Sequence, residues 1–168
     1  VVHSSYQETY GFDWFNPYYT DYGISRGFAM NYTHYDPSAA NISSDYSFDQ
    51  YAARIYYNIP MSASVGANNK LALGYGVQGT DLTVNEGAST QVEDFVADYG
   101  DNFLELMLTG GWTHNGFNRA VFPTQGFYQT WGNNIYLPAT SDSLGYFTTK
   151  YQAKFYAPIS KNFILYTR

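Results

Sequence analysis

Every second residue of this chain is apolar or aromatic over stretches too long for an ordinary soluble sheet. The first stretch sets Tyr6, Glu8, Tyr10, Phe12 and Trp14 against Gln7, Thr9, Gly11 and Asp13. Phe28, Met30 and Tyr32 then alternate with Gly27, Ala29, Asn31 and Thr33. Tyr51, Ala53, Ile55, Tyr57 and Ile59 oppose Gln50, Ala52, Arg54, Tyr56 and Asn58. Leu71, Leu73, Tyr75 and Val77 oppose Lys70, Ala72, Gly74, Gly76 and Gln78. Leu104, Leu106, Leu108 and Trp112 oppose Glu105, Met107, Thr109 and Thr113. A weaker stretch, 127–137, puts Trp131, Ile135 and Leu137 on one face with Asn133. Phe147, Thr149, Tyr151, Ala153 and Phe155 oppose Thr148, Lys150, Gln152 and Lys154, and an eighth stretch starts at Phe163. A period of two belongs to β-strands, whose successive side chains point to opposite faces. Most stretches reach the roughly 10 residues that a tilted strand needs to cross a bilayer, against about 5 to 6 in an average soluble strand.

Composition decides which face is dry. Aromatic residues make up 20 % of the chain and charged residues 13 %, yet mean hydropathy is −0.37. Polar and apolar residues are both plentiful and are sorted by face. The polar face carries lysines, amides and glycines, which suits a wet lumen. Tyrosine and tryptophan gather near strand ends, as at Tyr6, Trp14, Tyr18, Tyr19 and Trp112, where an amphipathic ring fits a membrane interface. No apolar run approaches the length of a membrane helix. The pattern predicts an all-β fold, an antiparallel transmembrane β-barrel segment of about eight strands. Leu71, Leu73, Tyr75, Leu104, Leu106 and Leu108 are expected to face lipid, and Arg54, Lys150, Gln152 and Lys154 the lumen. A soluble sandwich or lipocalin-like barrel is the other all-β reading, with the apolar face inside.

The net charge of −6 leaves no basic patch to replace the counterions of a nucleic acid. No Lys or Arg lies between Lys70 and Arg119, while Asp81, Glu86, Glu93, Asp94, Asp98, Asp101 and Glu105 do. The connections alternate between turns and longer loops. Residues 16–23, 60–69 and 158–161 read as turns and 115–126 as a medium connection. Residues 36–45, 79–102 and 138–143 read as loops. Arg26, Lys70, Arg119 and Lys161 sit at or near connections of the first kind. Short turns on one side and long loops on the other are the expected asymmetry of such a barrel. The long acidic loop should hold one helix over 91–99. Thr90-Gln-Val-Glu93 has capping-box spacing, Val92, Phe95, Val96 and Tyr99 fall on one face, and Gly100 can end it. That face should rest on the barrel rim.

Several motifs suggest chemistry and are better read plainly. Gly74-Tyr-Gly-Val-Gln-Gly79 matches a dinucleotide fingerprint, but no helix follows it at once. His3, His34 and His114 have no paired spacing for a metal or a general base. Glu8 shares the apolar face, and Glu105 should point into the lumen near Lys or Arg. Asn31-Tyr-Thr and Asn41-Ile-Ser are glycosylation sequons by pattern only. With no cysteine, thiolate sites are excluded. No metal, cofactor or catalytic residue is expected, and the chain does not read as an enzyme. One motif exceeds simple turn chemistry: Arg119-Ala-Val-Phe122-Pro123-Thr124-Gln-Gly126, where Pro123 and Gly126 shape a turn and Arg119 and Phe122 add to it.

Those residues carry a resemblance. Gly111-Trp-Thr-His-Asn115 followed by Arg119-x-x-Phe-Pro-Thr-x-Gly126 resembles the barrel of the BamA-type outer-membrane assembly factors. Phe15-Asn-Pro-Tyr-Tyr-Thr20 resembles that family's strand and turn, and Leu73-Gly-Tyr75 precedes a long helical surface loop as in the family. Ala157-Pro-Ile159 and Leu165-Tyr-Thr-Arg168 resemble later strands. Gly116 and Asn118 depart from the Lys and Asp often found there. The resemblance implies a partial barrel domain over 1–168, about the fourth to the eleventh of sixteen strands, without the periplasmic repeats. It implies that the longer loops are extracellular and Arg119–Gly126 periplasmic, in the bacterial outer membrane. The implied function is folding and inserting other β-barrels. Implied partners are outer-membrane lipids, client barrels and, through missing regions, accessory lipoproteins. Arg119 either snorkels to headgroups or water, or fixes the turn through several donors, with Phe122 then packed under the barrel mouth. The alternative is a complete eight-stranded anchor or binding barrel, which requires its first and last strands to pair.

Overall fold

The computed structural model describes residues 2–40, 42–64, 67–141 and 143–168. The Asn41 sequon lies outside the described residues, as do Val65 and Gly66 of the 60–69 turn and Asp142 of the third loop. Nine strands form one antiparallel sheet in sequence order. They are β1 (Val2–His3), β2 (Gln7–Asn16), β3 (Ser25–Tyr35), β4 (Tyr46–Ser64), β5 (Ala67–Val84), β6 (Asn102–Asn115), β7 (Gly126–Pro138), β8 (Tyr146–Ser160) and β9 (Phe163–Thr167). The eight anticipated stretches are β2 to β9. The strands β1 and β9 are the two edges and do not pair, so the sheet stays open. The closed eight-stranded barrel is therefore not formed.

Two connections are shorter than the sequence suggests. The strands β4 and β5 continue through most of the expected 60–69 turn, because 62–64 pair with 67–69 after a register shift at Pro60. Proline has no N–H for the ladder, and the strand absorbs it as an irregularity. The same device recurs at Pro158 in β8. At the other end β5 runs on to Val84, so the first six residues of the expected long loop, 79–84, are strand.

Register gathers the apolar positions. Phe12 pairs with Met30, Met30 with Ala53, Ala53 with Val77, Val77 with Leu106 and Leu106 with Leu137. One step along, Tyr75 pairs with Leu108, Leu108 with Ile135 and Ile135 with Phe147. These side chains share one face across the sheet, since paired residues lie on the same side. The other face holds the buried residues Ser25, Ala29, Gln78, Phe103, Glu105 and Met107, none more than 9 % exposed. In a single-layer sheet curvature produces that asymmetry, because residues on the concave side crowd one another, and Phe95 from the connection before β6 adds cover at Phe103. The wall therefore curves around its polar face, as barrel closure requires.

Glycines make room on the concave face at two places. A Cβ at Gly27 would run into the Tyr56 ring. Tyr56 lies over Gly27, stacks on Phe15 at 6.4 Å and donates to both Asp13 carboxylate oxygens at 3.1 Å. A Cβ at Gly76 would overlap the backbone of β4 beside Arg54. Gly74 to Gly79 lies wholly within β5, so its glycines serve strand contacts rather than a phosphate loop.

Candidate functional site

The 116–125 connection between β6 and β7 is held by side chains that the alternation pattern does not reveal. The ladder extends past β6, because Gly116 N–H donates to Phe127 O at 2.9 Å and Asn118 N–H to Gln125 O at 3.0 Å. Asn118 then closes the turn. Its Oδ1 accepts from the Thr124 and Gln125 N–H groups at 3.1 and 3.2 Å, and its Nδ2 donates to Thr124 Oγ1 at 2.9 Å. Short amide side chains favour this use, since they bond backbone a few residues away. Phe117 anchors the base on the concave side, stacked on Tyr128 at 5.9 Å and edge-on to Tyr156 at 5.3 Å.

The motif residues sit around this clamp. Arg119 Nη2 donates to Thr124 Oγ1 at 3.2 Å, one bond rather than the expected fork. Phe122 adopts φ 51°, a region that non-glycine residues enter at a cost of order 1–3 kcal/mol, and stands 84 % exposed. The packing beneath the mouth expected of Phe122 is not made by the described residues. Pro123 follows it. Gly126 has φ 124° and a Cβ there would overlap the Gly116 carbonyl oxygen, so glycine is required on two grounds. The turn thus displays Val121 and Phe122, 67 % and 84 % exposed, two and three residues after Arg119.

At the opposite end α1 spans Thr90–Tyr99 and carries Val92, Phe95, Val96 and Tyr99. Phe95 meets Phe103 at 6.0 Å and Tyr99 at 5.3 Å between ring centroids. Phe103 lies on the concave face, so the helix leans inward over the end of the wall. Its start differs from the expected capping box. The N-cap is Ser89, without a side-chain capping bond; Ser89 Oγ donates instead to Asp45 of the neighbouring loop. Asn85 ties the same two connections together, with N–H to Asp45 O at 3.0 Å and Nδ2 to Ser44 O at 3.1 Å. Gly100, at φ 82°, ends the helix and donates to Val96 O. The loop 36–45 contains a 3-10 turn, Pro37–Ala40.

The remaining candidates separate. Leu71, Leu73, Tyr75, Leu104, Leu106 and Leu108 all lie on the convex face. Glu8 is on that face and Glu105 on the other, so they cannot act as a pair. Glu105 is 5 % exposed and accepts from Gln78 Nε2 at 3.1 Å; its hydrogen-bond partner is an amide, not the expected cation. His34 Nδ1 meets Asp49 Oδ1 at 2.8 Å, and His114 Nδ1 meets Asn69 Oδ1 at 2.8 Å. Among the described residues no group of three His, Asp or Glu is placed to hold a metal ion.

The Omp85 superfamily domain model matches residues 1–168. The chain is 27 % identical over 161 residues to outer membrane protein assembly factor BamA of Neisseria meningitidis serogroup B, covering 89 % of this chain and 19 % of that protein. The crystal structure of BamA from Haemophilus ducreyi lacking POTRA domains 1-3 superposes with TM-score 0.67 at 23 % identity, over 93 % of this chain and 30 % of that one. The chain spans about a fifth of the curated relative's length, and the structural likeness is one of fold. On the match over its whole length, the chain belongs to the Omp85 superfamily, with the fold of an outer-membrane β-barrel wall.

Proposed function

We propose that residues 1–168 are part of the barrel of a machine that folds and inserts β-barrel proteins into the outer membrane. The observation that carries this is the register of an Omp85 chain. It lines up apolar side chains from β2 to β8 on the convex side of an open wall. Leu71, Leu73, Tyr75, Leu104, Leu106 and Leu108 then meet hydrocarbon, and the loops with α1 lie on the extracellular side. The 116–125 turn lies in the periplasm with Phe122 displayed. The work is physical: unpaired strand edges cannot rest in lipid, so a client needs a protein wall that offers pairing while it closes. No step of that work breaks a covalent bond, and we assign the chain no enzymatic role. Its partners are membrane lipids, client barrels and accessory lipoproteins reached through regions beyond this segment.

The test uses the full-length protein that contains this segment, reconstituted in vesicles with its accessory lipoproteins. It should accelerate folding of a urea-unfolded client barrel over empty vesicles. Equal folding rates would overturn the proposed function.

A further inference from the structure

The convex face is not uniformly flat. Between β2, β3, β4 and β5 it opens into a groove of about 510 Å³ walled by Tyr10, Met30, Tyr32, Tyr51 and Val77, with Ala53 at its floor. Two features make it. Ala53 is the small residue in a row that otherwise reads Phe12, Met30, Val77 and Leu106. Tyr51 leans over Gly79, whose missing side chain leaves space for the ring, and so clears the floor. Tyr10 and Tyr32 stack at 6.4 Å to form the opposite wall.

Directly above the groove, one pairing step toward the loop end, Glu8, His34 and Asp49 stand in register on the same face. The groove's tyrosines reach into this row. Tyr10 Oη donates to Glu8 Oε2 at 3.1 Å, and Tyr32 Oη to Asp49 Oδ1 at 2.6 Å. His34 Nδ1 is also on Asp49 Oδ1, at 2.8 Å. Both of these contacts fall on one oxygen of Asp49, which leaves Oδ2 as an acceptor. An apolar trough that ends in tyrosine hydroxyls and carboxylates complements one kind of amphiphile: a hydrocarbon chain joined to a cationic, hydrogen-donating head.

We propose that this groove holds an acyl chain of a membrane lipid whose headgroup carries a primary ammonium, with Asp49 as its acceptor. The inference rests on the convex face meeting lipid, as proposed above. A primary ammonium donates to the carboxylate; a quaternary one cannot, and a phosphoglycerol headgroup brings no positive charge.

The experiment is native mass spectrometry of the full-length protein released from bilayers of equimolar ethanolamine, choline and glycerol phospholipids. The ethanolamine lipid should be retained about fivefold over the glycerol lipid, the scale of one charge-assisted contact at a half-exposed site. Asp49→Asn keeps the bonds to Tyr32 and His34 in shape and should abolish the preference. Ala53→Phe fills the floor and should reduce retention of all three lipids. No preference in the parent protein, a preference that survives Asp49→Asn, or unchanged retention in Ala53→Phe would each overturn the proposal. A cysteine at Leu106, labelled by a lipid-phase probe in the same bilayers, reports separately on whether the convex face meets lipid. Labelling there with no headgroup preference removes the groove proposal alone.

Discussion

On the convex face of β6, Leu104, Leu106 and Leu108 stand 37, 47 and 45 % exposed. Their neighbours Phe103, Glu105 and Met107, on the concave face of the same strand, are 9, 5 and 6 % exposed. The leucines are the exposed ones and the Glu105 carboxyl group is buried, which inverts the order of a soluble domain. On the concave side curvature supplies the burial, and partners come from within: Gln78 for Glu105, Asp13 for Tyr56, Thr113 for Thr130. On the convex side the leucines are left for whatever surrounds the wall. A soluble sandwich would have put those leucines inside, so the contrast also disposes of that reading.

The sharpest way to break the contrast is a charge on the convex side. Leu106→Arg should cost about 2–4 kcal/mol near the bilayer midplane, whereas Thr109→Ser on the concave side should stay within about 0.5 kcal/mol. Reversible denaturation of the full-length protein in bilayers reads both. Equal costs on the two faces would mean that the convex side does not see hydrocarbon.

The same contrast, between residues held from within and residues left outward, divides the connections. Asn118→Ala removes three side-chain hydrogen bonds that define the 116–125 turn. The site is solvated and water replaces part of the loss, so about 1–2 kcal/mol is expected. Gly and Asp are instructive alternatives there: Asp keeps the acceptor for the Thr124 and Gln125 N–H groups and should recover most of the loss. Phe95→Ala on α1 removes a ring that is 37 % exposed and touches Phe103 and Tyr99. A smaller loss of about 1 kcal/mol follows from that partial burial, seen as faster amide exchange over 90–99 with the strands unchanged. Exchange that stays slow would show that the Ser89 and Asn85 bonds, not the aromatic contact, hold the helix.

These two connections also show where a single sequence speaks. The strands were legible because a period of two is imposed on every residue of a wall that has two different sides. The helix was legible because Val92, Phe95, Val96 and Tyr99 repeat at helical spacing and Gly100 stops it. The clamp was not, because Asn118 bonds to Thr124 and Gln125 by a fold of the backbone that no periodicity encodes. One signal was available: an Asn six residues before a Thr, across Pro123 and before Gly126, is good turn chemistry. Ser89 as N-cap is not legible, because its hydroxyl makes no capping bond and donates to Asp45, 44 residues away, a partner that only the tertiary structure brings near. The lengths of β4 and β5 are not legible either, because Pro60 and the polar residues near the hairpin mimic a turn.

Arg119 is where the contrast is finest, since an exposed side chain still makes one bond to the turn. Its Nη2 bonds to Thr124 Oγ1, the same hydroxyl that Asn118 Nδ2 holds. The turn therefore keeps its shape through Asn118 whether or not the guanidinium is present. Arg119→Lys should change stability by less than about 0.5 kcal/mol, as an exposed substitution with one bond at stake. Arg119 is exposed and lies three residues before the displayed Phe122, and a planar fork serves carboxylate or phosphate recognition in a way an ammonium cannot. If Arg119 acts with Phe122 on a client or an accessory subunit, Arg119→Lys in the full-length protein should slow insertion of client barrels while expression and unfolding stay as in the parent. Insertion at the parental rate would make Arg119 a surface charge and leave Phe122, whose strained backbone still needs a reason, to be tested alone as Phe122→Gly.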